Sequence, residues 1–72
     1  MKDLKTCQNI LSERLTEFLD GKSILAFSKS IGIPDRRLNS WIRKEATPNM
    51  EYLILLAQAL DCSIDYLVGL ED

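Results

Sequence analysis

The stretch Gly32-Ile33-Pro34-Asp35-Arg36-Arg37-Leu38-Asn39-Ser40-Trp41-Ile42-Arg43-Lys44 decides how this chain reads. Taken as a helix over residues 34–43, it has two unlike faces. Leu38, Trp41 and Ile42 recur at i, i+3 and i+4 and make an apolar stripe. Arg36, Arg37, Asn39, Ser40 and Arg43 fall largely off that stripe, and they are long cations or small hydrogen-bonding groups. Pro34 suits a first turn, because its φ is pre-set and its missing N–H has no helical partner there. Asp35 beside it favours the positive end of the helix. Gly32 follows another apolar helical run, as a glycine closing a helix does.

That preceding run is a second short helix. Ser23 is its N-cap, Ile24, Phe27 and Ile31 form its stripe, and it ends near Ile31. Ser28 lies beside the stripe, small enough to let the next helix come close, while Leu25 falls off it. A helix, a glycine turn and a short helix with a basic outer face make the layout of a helix-turn-helix that binds duplex DNA. In that layout cations and amides grip phosphates and read base edges. The competing reading is an ordinary core helix with a solvated charged face.

Outward from this centre the chain stays helical. The spacing predicts a first helix from Cys7 to Leu19, capped by Thr6, with Cys7, Leu11, Leu15 and Phe18 inward, joined by Ile10 and Leu19. Gln8, Ser12, Glu13, Thr16 and Glu17 fill its other side, and Asp20-Gly21 ends it. After a loop over Glu45-Ala46-Thr47-Pro48, Asn49 caps a fourth helix from Met50 to Leu60. Met50, Ile54 and Leu55 are apolar residues beyond what its inward stripe of Leu53, Leu56, Ala57 and Leu60 needs. Asp61-Cys62 turns the chain, Ser63 caps a last helix from Ile64 to Val68, and Gly69 closes it. With no alternating pattern of a strand, the expectation is an all-α domain of five helices spanning residues 1–72, folded over about 6–70. Its expected core is Leu11, Leu15, Phe18, Phe27, Ile31, Ile33, Leu38, Trp41, Leu53, Leu56, Ala57, Leu60, Ile64 and Leu67.

Size and composition narrow the function. A chain of 72 residues, 46% apolar and 28% charged, is one small globular unit rather than a disordered segment. It has no run long enough to span a bilayer and no apolar signal stretch at its start, so a cytoplasmic protein without membrane contact is expected. Cys7 and Cys62 stand far apart and histidine is absent, which argues against zinc and leaves two thiols as small apolar residues. Without histidine or a glycine-rich phosphate loop, neither catalysis nor a cofactor is expected, and no small-molecule ligand is evident. The net charge of −2 argues against a nucleic-acid partner, but its distribution argues for one. Lys22 to Lys44 holds six cations and one acid, whereas the remainder holds three cations and ten acids. Local field rather than net charge steers a polyanion.

The whole pattern resembles the phage repressor and Cro class of helix-turn-helix domains, the XRE family, over about residues 10–70. The features that carry the resemblance are Ser30-Ile31-Gly32-Ile33, Trp41, Thr47-Pro48-Asn49 and the close from Leu56-Ala57-Gln58-Ala59-Leu60 to Asp65-Tyr66-Leu67-Val68-Gly69. The resemblance implies a five-helix lambda-repressor-like fold whose helix 34–43 enters the major groove. Arg36, Arg37, Asn39 and Ser40 then read bases, with Asp35 beside them, while Lys22, Ser23, Arg43 and Lys44 hold phosphates. It further implies a homodimer on double-stranded DNA, acting as a transcriptional regulator and most simply as a repressor that occludes a promoter.

The chain departs from that family in several places. Ile24 replaces a common phosphate-binding Gln, and Lys44 replaces a common Gly. Leu19 and Ile42 stand where an Arg–Glu pair is common, so the pair is replaced as a unit, which is often neutral or stabilising. The loop between the first two helices is also about two residues shorter than is common. The rival from another class is a protein-interaction or antitoxin-like helical module with weak or no DNA binding. The acidic ends, Ile24 and the apolar surplus of the fourth helix favour it, and the basic third helix argues against it.

Overall fold

Helix starts in this chain are written in short polar side chains. In the computed structural model, which describes residues 3–71, five helices follow in order: α1 (Leu4–Phe18), α2 (Ile24–Ile31), α3 (Asp35–Ile42), α4 (Met50–Leu60) and α5 (Ile64–Val68). No strand occurs among the described residues, and no helix there is long and apolar enough to cross a membrane. Four of the starts use one device, a side-chain oxygen that accepts from the N–H three residues on. Asp3 accepts from Thr6 at 2.7 Å, Ser23 from Ala26 at 3.1 Å, Asn49 from Tyr52 at 2.9 Å and Ser63 from Tyr66 at 3.0 Å.

The first of these corrects the expected start of α1. Thr6 is not the cap but the donor to Asp3, and the helix begins at Leu4, three residues before Cys7. A carboxylate is a stronger acceptor for a backbone N–H than a hydroxyl, so the earlier cap prevails. At its far end α1 stops at Phe18, with Leu19 as the closing residue. Helix α3 is the exception among the starts: Pro34 precedes it with extended ψ 138 and no side-chain cap, and Asp35 supplies the negative charge of its first turn.

Helix α1 packs against α3 and α5, α2 against α3 and α4, and α4 against α5. The shared core holds Leu11 and Leu15 of α1, Ile33, Leu38 and Trp41 around α3, Leu56 and Ala57 of α4, and Leu67 of α5. Trp41 is only 2% exposed, as its spacing from Leu38 predicts. Of the other expected core residues, Phe27, Ile31, Leu60 and Ile64 are half-buried and pack against it, while Phe18 and Leu53 are half-buried. Phe18 and Phe27 meet as a tilted ring pair at 5.4 Å. Leu19, expected on the inward side of the first helix, is buried at its closing position.

Ser12 corrects the expected polar side of α1. It is buried, and its Oγ donates to the carbonyl of Ile42 at 2.6 Å. Ile42 is the last residue of α3, where carbonyls have no helical donor, so one small hydroxyl satisfies both partners. The same end of α3 closes through Lys44. With φ 64 it lets Lys44 N donate to Trp41 O at 3.1 Å and Glu45 N to Ser40 O at 2.9 Å, a Schellman closure. Cys7 and Cys62 are both free thiols and half-buried. Burial and the neighbouring Asp61 push the Cys62 thiol above its usual range.

Candidate nucleic-acid interface

Packing fixes which side of α3 faces outward. Leu38 and Trp41 are buried and Ile42 half-buried, so the opposite side of the helix carries Arg36, Asn39, Ser40 and Arg43, spaced i, i+3, i+4 and i+7. Arg36 and Arg43 are exposed, and Asn39 and Ser40 between them are half-buried. Asn39 donates one amide hydrogen to Asp35 O at 3.0 Å, which pins the amide along the helix and leaves its oxygen and second hydrogen for a partner. The Arg36 side chain has no hydrogen bond, ion pair or ring contact among the described residues. The outward face is thus a row of two guanidinium groups separated by an amide and a hydroxyl, a set suited to base edges and phosphates together.

Arg37 stands on the flank rather than in that row. It is i−4 from Trp41, and its guanidinium lies 5.9 Å from the ring centroid of Tyr52 on α4. Tyr52 in turn meets Trp41 as a tilted ring pair, at 5.5 Å and an interplanar angle of 53°. Tyr52 is half-buried and packs against the core. Its link to Arg37 is not visible in the sequence, because it joins two helices across the loop of residues 43–49.

The four expected phosphate-binding residues are differently placed. Arg43 is exposed and pairs with Glu45, Nε to Oε1, at 3.5 Å. With both side chains more than 60% exposed, that pair contributes about 1 kcal/mol at most and yields easily to a stronger anion. Lys44 is exposed in the left-handed conformation. Lys22 folds back, its Nζ donating to Phe18 O at 3.0 Å and lying 4.1 Å from the Phe18 ring, so it tends the end of α1. Ser23 accepts from Ala26 N while its own hydroxyl hydrogen is unspent. The start of α2 lies beside the end of α3, because Lys22, Ile24 and Ile42 line one shallow depression with Leu19. That depression is where the two apolar replacements meet, Leu19 buried and Ile42 half-buried.

A family model described as helix-turn-helix matches residues 14–67, from the middle of α1 into α5. The chain belongs to the helix-turn-helix family. The match covers the glycine turn at Gly32, whose N–H and that of Ile33 both donate to Ser28 O, and it bears out the resemblance read from the sequence. Over 43 residues the chain is 42% identical to the repressor protein C2 of Salmonella phage P22. That segment is 60% of this chain and 20% of the relative, so the chain spans about a fifth of the relative's length. No solved structure matches. Within this helix-turn-helix the paired elements are α2 and α3, and the outward face of α3 is the basic one.

Proposed function

We propose that this chain binds double-stranded DNA in a sequence-specific way and serves as the DNA-reading part of a transcriptional regulator, a repressor. The observation that carries this reading is the outward row Arg36, Asn39, Ser40 and Arg43 on a helix whose opposite side is locked into the core. Helix α3 lies in the major groove, with Arg36, Arg37, Asn39 and Ser40 toward the bases. Ser23, Arg43, Lys44 and, once released from Phe18, Lys22 hold phosphates on either side. The relative from phage P22 carries the name of a repressor, which supports the same direction of regulation. The chain does no catalysis, needs no cofactor and works in the cytoplasm.

One short helix reads too few base pairs to be selective, so the binding unit is a homodimer with two α3 helices about 34 Å apart on one face of the duplex. Met50 and Ile54 on α4 and Leu70 beyond α5 supply its apolar contacts, being 67%, 42% and 55% exposed. Leu55, by contrast, packs against the core. The experiment is selection of duplexes from a random library, followed by binding to the winner at several salt concentrations. A conserved two-half-site sequence with an affinity that falls steeply with salt is the expected result. Failure to enrich any duplex overturns the DNA reading in favour of an interaction module.

A further inference from the structure

The two adjacent arginines of α3 are held in unlike ways. Arg36 projects from the outward row, and its exposed side chain has no hydrogen bond, ion pair or ring contact among the described residues. Arg37 lies over the Tyr52 ring at 5.9 Å, inside the reach of a cation–π attraction. Tyr52 is itself tied at both its backbone and its ring. Its backbone N–H is bound by Asn49 Oδ1 at 2.9 Å in the first turn of α4, and its ring rests on Trp41, which is 2% exposed. A buried tryptophan therefore fixes a tyrosine, and the tyrosine gives one arginine a shelf. A guanidinium is planar and loses less freedom on binding when it is already held, whereas a free arginine must lose its rotamers at the moment of contact.

We infer that Tyr52 is a positioning residue for base recognition: through its ring it sets the direction of Arg37 and so makes that arginine discriminate at one base position. This rests on the DNA-binding reading above and deepens it. Tyr52 makes its contacts to Arg37 and Trp41 with the ring face and edge, so the hydroxyl is dispensable and phenylalanine preserves the effect. Leucine keeps apolar bulk on Trp41 but offers no π face. Lysine at position 37 keeps the charge and loses the planar group that the ring orients.

The test uses the full chain and the duplex that the wild-type protein enriches from a random library, with every base pair of one half-site then varied singly. Tyr52→Phe, Tyr52→Leu, Arg37→Lys, Arg37→Ala and the double variant Tyr52→Leu/Arg37→Ala are measured against that panel, each with its melting curve. The expected result is that Tyr52→Leu and Arg37→Lys relax preference about two- to fivefold at the same base position that Arg37→Ala relaxes. Tyr52→Phe leaves preference unchanged, and adding Tyr52→Leu to Arg37→Ala changes selectivity no further. Tyr52→Leu scaling all duplexes equally, or acting as strongly without Arg37, overturns the inference. Should Tyr52→Leu be unfolded, Arg37→Lys decides, since it lies on the surface and its failure to relax that position overturns the inference as well. Absence of any enriched duplex for the wild-type chain overturns the DNA reading and this inference with it, whereas enrichment with an unmoved Tyr52→Leu panel overturns only the latter.

Discussion

Ser12 of α1 and Ile42 of α3 are joined by a single hydrogen bond of 2.6 Å, the hydroxyl donating to the last helical carbonyl of α3. It is the point at which the scaffold grips the end of the basic helix. Ser12→Ala leaves that part-buried carbonyl without its donor, which costs about 1–3 kcal/mol. Urea unfolding is expected to show a lower midpoint with an unchanged slope, the signature of lost stability rather than of an altered unfolded state. A midpoint equal to wild type would mean that water takes over the carbonyl.

Gly69 leaves no room for a Cβ beside Ile10, so the end of α5 packs closely on α1. Gly69 has φ +81, and a Cβ placed on it would lie 2.3 Å from Ile10 Cδ1 and 3.0 Å from Cγ2. Gly69→Ala therefore combines a strained backbone with a clash, at about 2–4 kcal/mol in all. Ile10→Val removes Cδ1, so it is expected to be less damaging, or restoring, in the Gly69→Ala background than alone. A double-mutant cycle on melting temperature reads this coupling directly; strict additivity of the two changes would deny the contact.

Lys44 carries an expected conflict between stability and binding. Its φ of 64 is one that side chains with a Cβ adopt at a cost of about 1–2 kcal/mol. Lys44→Gly is expected to raise the melting temperature, because glycine relieves that strain while the Schellman closure persists. It also removes a proposed phosphate contact, so affinity should fall for all duplexes alike and the salt slope should drop by about one. A variant that is both more stable and unaltered in DNA affinity would remove Lys44 from the interface.

Arg36 is the complementary case. It stands in the outward row, its guanidinium free of partners among the described residues, so Arg36→Ala should leave the unfolding free energy within about 0.5 kcal/mol of wild type. On the operator it is expected to cost about 1–3 kcal/mol and to reorder which duplexes win a competition. A loss that is uniform across sequences would make Arg36 a phosphate anchor.

Asp3 makes the start of α1 sensitive to acid. The Thr6 N–H bound to its carboxylate holds the Asp3 carboxyl below its ordinary range. A carboxyl whose folded-state value is depressed stabilises the fold above its unfolded value, and that contribution is lost as pH falls through the folded one. Asp3→Asn keeps a capping oxygen without the titration. The variant should therefore lose less helicity at the start of α1 than the wild type as pH is lowered through the carboxylate range, read by amide exchange of Thr6 and Cys7.

What was legible from the residues alone follows the range of the forces involved. The caps Ser23, Asn49 and Ser63 act on an N–H three residues away, and Gly32 and Gly69 on a carbonyl in the preceding turn, so α2, α4 and α5 stand where their sequences put them. The outward placement of Arg36 and Arg43 follows equally from the apolar spacing of Leu38 and Trp41. Asp3 against Thr6 was a contest between two adequate caps, decided by the stronger acceptor. Tertiary packing decided the rest, because the deciding partner lies far along the chain. A serine on the polar side of α1 became buried since the end of α3 offered it a carbonyl 30 residues away. Arg36 and Arg37, alike as neighbours in sequence, became a free arginine and a held one only because α4 sets the Tyr52 ring on Trp41 beside Arg37 and not beside Arg36.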